Sequence, residues 1–125
     1  MKFEHFAFNS PDARAQAAWW VGNLGLAVAR RVETAPHTHF LADETGRVFL
    51  ELYTNPAAPV PDYANTHPLV FHVAFVSACV KTDRARLEKA GAAFFTEDTP
   101  GGSALLMMRD PWGLAIQFCQ RAQPF

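Results

Sequence analysis

Displaced by 67 residues, the sequence matches itself twice. His5, Ala7, Phe8 and Ser10 fall on His72, Ala74, Phe75 and Ser77, so H-x-A-F-x-S recurs; Asp43 and Gly46 fall on Asp110 and Gly113, so D-x-x-G recurs at the same offset. Two matches at one offset point to a duplicated plan, which narrows the fold to two copies of one supersecondary unit. Residues 55–67, with Pro56, Pro59 and Pro61, read as a stiff connector. The spacing predicts one domain over residues 1–125, made of modules 1–55 and 68–121.

Each module has the same local grammar. In the first, residues 2–9 read as a strand, and Ser10-Pro11-Asp12 as a helix start with an N-cap and a proline at its first position. Ala13, Ala17, Trp20, Val21 and Leu24 share one helical face, and the helix is expected to end among residues 22–25. Residues 27–33, 37–43 and 48–54 are short apolar runs separated by turn residues, as three strands require. In the second module the strands fall at 69–76, 92–97, 104–109 and 114–119, with a helix over 80–90 closed by Gly91. The predicted class is α+β: two tandem βαβββ modules. One helix covers one face of a sheet, so two such mixed sheets are expected to form a half-open, U-shaped barrel with an inside.

Composition limits what that inside can serve. Half of the residues are hydrophobic and 18% are charged, enough apolar material for a packed interior. Lys plus Arg number 11 against 12 acids, with no basic run, which disfavours nucleic acid and anionic membranes and favours a small-molecule partner. Cys79 and Cys119 form no C-x-x-C pair. Residues 1–8 carry Glu4 and His5 without a cleavage pattern, and no run approaches the roughly 18 apolar residues of a membrane helix. A cytoplasmic location is expected.

His5 and His72 hold matching places in the first strand of each module, where a pseudo-twofold arrangement would bring two imidazoles toward one point. Imidazole is a common nitrogen ligand for zinc, nickel, cobalt and iron. Glu51 interrupts the apolar last strand of the first module and Gln117 that of the second. A buried carboxylate needs compensation, which a metal or an arginine such as Arg30, Arg31 or Arg47 would supply. From Gly46 to Glu51 is one step longer than from Gly113 to Gln117, and a one-residue slip reverses a strand's faces unless a bulge or longer turn follows Gly46.

With two βαβββ units, H-x-A-F near the start of each, a D-P-x-G turn before the last strand and polar residues on the first and last strands, the chain resembles the vicinal oxygen chelate superfamily. Glyoxalase I, methylmalonyl-CoA epimerase, bleomycin and fosfomycin resistance proteins and extradiol dioxygenases belong to it. The resemblance spans essentially the whole chain. It implies metal ligands at His5, Glu51, His72 and Gln117 and a divalent metal (Zn, Ni, Co, Mn or Fe). Bacterial glyoxalase I resembles His, Glu, His, Glu, so Gln117 departs from it; the epimerase set resembles this one with the halves exchanged.

Two imidazoles, one carboxylate and one amide oxygen leave a divalent ion one net positive charge. The resemblance implies a metal-dependent glyoxalase-like lyase or isomerase that stabilises an enediolate of a small oxygenated substrate, with Glu51 as catalytic base. Glu4, Glu33 and His39 are further candidate bases. His37 and His39 form an H-x-H that a strand would present on one face. Two alternatives stay open: a metal-free small-molecule binding protein of the bleomycin-resistance type, and an Fe(II) extradiol-type dioxygenase, disfavoured by Gln117. A homodimer is expected.

Overall fold

The computed structural model describes all residues, 1–125, and divides into two compact units, Met1–Pro61 and Asp62–Phe125. In the first, strand β1 (Phe6–Asn9) leads into helix α1 (Ala13–Leu24), followed by β2 (Ala27–Arg31), β3 (His39–Ala42) and β4 (Val48–Tyr53). In the second, β5 (Val73–Val76) leads into α2 (Val80–Lys89), then β6 (Ala93–Asp98), a short 3-10 turn (Pro100–Gly102), β7 (Ala104–Arg109) and β8 (Ala115–Gln120). The sheets have orders β1-β4-β3-β2 and β5-β8-β7-β6, each with one parallel pair beside antiparallel ones. The βαβββ plan therefore occurs twice, in two open, mixed, four-stranded sheets. No helix is long and apolar enough to cross a membrane.

Alternation along the strands decides which face of each sheet is covered. Phe8, Leu41, Leu50 and Leu52 share one face of the first sheet, where Trp20 is fully buried and meets Phe8 at 5.9 Å between ring centres. In the second unit, Leu106, Met108 and Ile116 are buried, as are Val80 and Leu87 of α2. Full burial of a leucine-sized side chain contributes roughly 1.5–3 kcal/mol, so these positions carry much of each unit's stability.

Helix α1 starts later than the Ser-Pro signal predicts. Asp12 is its N-cap, its carboxylate accepting from Ala15 N at 3.0 Å, while Thr54 Oγ1 accepts from Ala13 N at 2.8 Å. Ser10 and Pro11 precede the helix, because those two oxygens satisfy its first free amides. Gly25, at φ 70°, closes it. The H-x-H expectation also changes. His37 has φ 57° and lies before β3, so only His39 is on the strand, buried, with Nδ1 2.7 Å from His37 O.

The repeated D-x-x-G is a repeated turn. Gly46 N donates to Asp43 O and Gly113 N to Asp110 O, at 3.0 and 2.9 Å, and both glycines have positive φ. Asp43 Oδ1 accepts from the Thr45 hydroxyl and amide, which hold its carboxyl below the usual carboxylate range. Buried Asp110 accepts instead from Trp112 N and Leu114 N. The connector is fastened at both ends. Asn9 Nδ2 donates to Asn55 O and Ala58 O in the first unit; in the second, Arg109 donates to Tyr63 O, Thr66 O and Gly113 O at 2.6–2.8 Å.

One irregularity aligns the two copies. Ala42 pairs with Val48 and Leu41 with Leu50, so Phe49 is an extra residue in β4; β7 and β8 pair without a break. This bulge accounts for the longer step from Gly46 to Glu51.

Candidate functional site

The face of each sheet turned away from its helix carries the polar residues singled out from the sequence. In the first unit Ala7 pairs with Glu51 and Glu51 with Phe40. His5, two residues before Ala7, faces the same way. In the second, Ala74 pairs with Gln117 and Gln117 with Met107, and His72 stands two residues before Ala74. With Phe49 bulged out, Glu51 and Gln117 occupy equivalent places opposite Ala7 and Ala74.

The structure brings His5 and Glu51 together. His5 Nε2 lies 3.1 Å from Glu51 Oε2, with both side chains partly exposed at 28% and 21%, and the His5 ring meets Phe40 edge-on at 5.7 Å. Glu4 contacts the other ring nitrogen, Nδ1. Nε2 and the carboxylate oxygen stand at hydrogen-bonding distance, and that contact needs a proton or a metal ion between the two atoms. An imidazole nitrogen and a carboxylate oxygen are donor types that a divalent ion such as zinc would take.

His72 Nδ1 is 2.9 Å from Pro68 O. Donation from Nδ1 to an oxygen leaves Nε2 as the ligating nitrogen, the usual orientation device for metal-bound histidine. Gln117 Oε1 accepts from Cys119 Sγ at 3.3 Å. Each unit thus offers two donors, and nowhere do three or more His, Cys, Asp or Glu side chains gather as an ion site. Ala74, Val76 and Cys119 also line an open, largely apolar groove of about 570 Å³, within the range of small-molecule sites.

The other candidates have different surroundings. Glu33 pairs with Arg31 at 2.6 Å on the surface, and His39 is buried on the helix-covered face. Neither lies beside Glu51 on its face. Pro68, Cys119 and Phe40 are participants that sequence reasoning misses. Pro68 and Cys119 act through a backbone carbonyl and a thiol, groups that carry no pattern of their own, and Phe40 reads as core in a run of apolar residues. Glu4 is visible as a carboxylate beside a histidine, yet adjacency in a strand normally separates two side chains.

Residues 2–118 match the model of the Glyoxalase/Bleomycin resistance protein/Dioxygenase superfamily. The chain belongs to this family, the vicinal oxygen chelate superfamily. Solved structures with the same fold include a glyoxalase family protein from Enterococcus faecalis (22% identity, 94% of this chain and 96% of that one, TM-score 0.69). Glyoxalase I from Zea mays is similar at 17% identity with TM-score 0.75, covering 98% of this chain, which spans 45% of the maize one. An antibiotic binding protein from Streptomyces sp. CB03234 is similar at 17% identity with TM-score 0.71, covering 98% and 97%. No curated protein matches the sequence.

Proposed function

We propose that the protein is a metal-dependent, glyoxalase-like lyase or isomerase acting on a small oxygenated molecule, with His5, Glu51, His72 and Gln117 as ligands of one divalent ion (Zn, Ni, Co, Mn or Fe). The observation that carries this reading is the contact of His5 Nε2 with Glu51 Oε2 at 3.1 Å, with Glu51 and Gln117 in equivalent register opposite Ala7 and Ala74 in the two copies. The same reading makes the protein a homodimer of the cytoplasm.

When bound, the ion supplies Lewis acidity toward substrate oxygens. The chain's own residues do the rest. Glu51 Oε2 accepts the proton from the carbon next to the substrate carbonyl and returns it to the neighbouring carbon. Gln117 has no proton to exchange near neutral pH, so one base serves both transfers. Glu4 fixes the His5 ring, and Phe40 walls the site from water on one side.

A metal-free binding protein is the second reading, favoured by the apolar groove along Ala74, Val76 and Cys119 and by the fold shared with an antibiotic binding protein. Metal content separates the two. Purified protein reconstituted with Zn, Ni, Co or Mn is expected to retain one ion for each His5/His72 pair, and His72→Ala none after the same desalting. Wild-type protein that takes up no ion from any of these leaves the binding reading in its place; oxygen consumption with catechols marks the iron dioxygenase.

A further inference from the structure

A second bulge gives the open face of the first sheet a feature that the ligand set does not use. Val28 pairs with Leu41 and Arg30 with Phe40, so Ala29 is the extra residue of edge strand β2. Without it Arg30 would stand opposite His39, on the helix-covered face. With it, Ala7, Glu51, Phe40 and Arg30 form one row across four strands, all on the face of His5. Directly opposed residues have Cβ atoms about 5 Å apart, so an aromatic ring lies between a carboxylate and a guanidinium.

The second unit contains the same row with different chemistry. Phe95 is the extra residue of β6, and Ala74, Gln117, Met107 and Thr96 line up as Ala7, Glu51, Phe40 and Arg30 do. One copy of the duplicated row is charged at both polar places; the other is neutral at both. Arg30 is exposed and makes no ion pair or hydrogen bond, whereas its neighbour Arg31 is tied to Glu33 at 2.6 Å. Within the two rows, Arg30 is the one fixed positive charge. An unpaired guanidinium beside an aromatic face suits a planar anion: the ring takes the planar body and the guanidinium takes a carboxylate in a two-point contact.

From this row we infer that Arg30 selects an anionic substrate, a small planar oxygenated carboxylate whose ring or conjugated body lies against Phe40. Its reacting oxygens point to His5 and Glu51 and its carboxylate to Arg30. The assignment of the oxygen end rests on the proposed function; the assignment of the anionic end does not.

The test uses a matched pair of probes, 3,4-dihydroxybenzoate and its neutral isostere 3,4-dihydroxybenzamide, titrated calorimetrically into wild type, Arg30→Gln and Arg31→Gln. Wild type is expected to bind the carboxylate about tenfold tighter than the amide, the scale of one charge-assisted contact. Arg30→Gln brings the ratio close to one. Arg31→Gln removes the same charge from the same strand and keeps the wild-type ratio. The inference is overturned if Arg30→Gln retains the preference, if Arg31→Gln abolishes it equally, or if wild type binds neither probe or both alike. Cobalt uptake measured on the same samples keeps the two readings apart: preference without uptake upholds Arg30 and removes the metal, and uptake without preference does the reverse.

Discussion

Glu51→Gln is expected to leave metal uptake largely in place and to slow proton removal next to a carbonyl by about 10²–10⁴-fold, the usual contribution of a positioned base. The amide oxygen still offers a donor 3.1 Å from where His5 Nε2 now sits, and Gln117 shows the same residue type at the equivalent place in the other copy. What the substitution removes is the only carboxylate in either row. Exchange of the α-protons of hydroxyacetone with deuterium oxide, followed by NMR, reads this step directly, whatever the natural substrate is. Unchanged exchange in Glu51→Gln, with metal retained, assigns the base to another residue, with Glu4 the nearest carboxylate.

The second large effect is structural. At Gly113 an added Cβ would lie 2.7 Å from Ala64 N and 2.8 Å from Ala64 Cα and Cβ, with φ at +88°. Ala64 has no room to retreat, because Arg109 holds the carbonyls of Tyr63 and Thr66 on either side of it. A left-handed alanine costs about 1–2 kcal/mol, and overpacking adds about 1–3. Gly113→Ala should therefore lose roughly 3 kcal/mol or more of the stability of a marginally stable fold. Gly46 is the built-in control. It occupies the same turn of the other copy at φ +79° with nothing within 4 Å, so Gly46→Ala should lose only the conformational part, about 1 kcal/mol. Urea denaturation of the two variants measures the difference. Equal losses contradict the close approach at Ala64.

The pairing of these two glycines shows why so much of the fold is legible in the sequence. Turns and strand starts are specified by residue type at fixed spacing, so H-x-A-F-x-S and D-x-x-G expose the duplication before any element is drawn. Strand edges are less legible. Residues 2–5 read as strand because they open a Phe-rich run and 69–72 because they are largely apolar, yet regular pairing begins only at Phe6 and Val73, where β4 and β8 supply partners. The helix start is shifted because Asp12 takes the N-cap place expected of Ser10 and Thr54, distant in sequence, accepts from the next amide, Ala13 N.

Bulges are the main gap. A bulge adds one residue without changing composition, so no pattern announces Ala29, Phe49 or Phe95, although each resets which side chains share a face. Glu51 is a candidate from sequence because a carboxylate stands out in an apolar run. Arg30 reads there only as a salt-bridge partner, and nothing but the register places it in line with Phe40 and Glu51.

The most direct measurement is X-ray absorption on the zinc-loaded protein, which counts imidazoles around the ion. Two imidazole ligands per zinc are expected in wild type, falling to one in His5→Ala and one in His72→Ala wherever enough metal is retained at saturating zinc. A wild-type spectrum with one imidazole or none, or histidine variants that both keep the wild-type spectrum, would contradict the claim that the duplicated histidines serve a single ion.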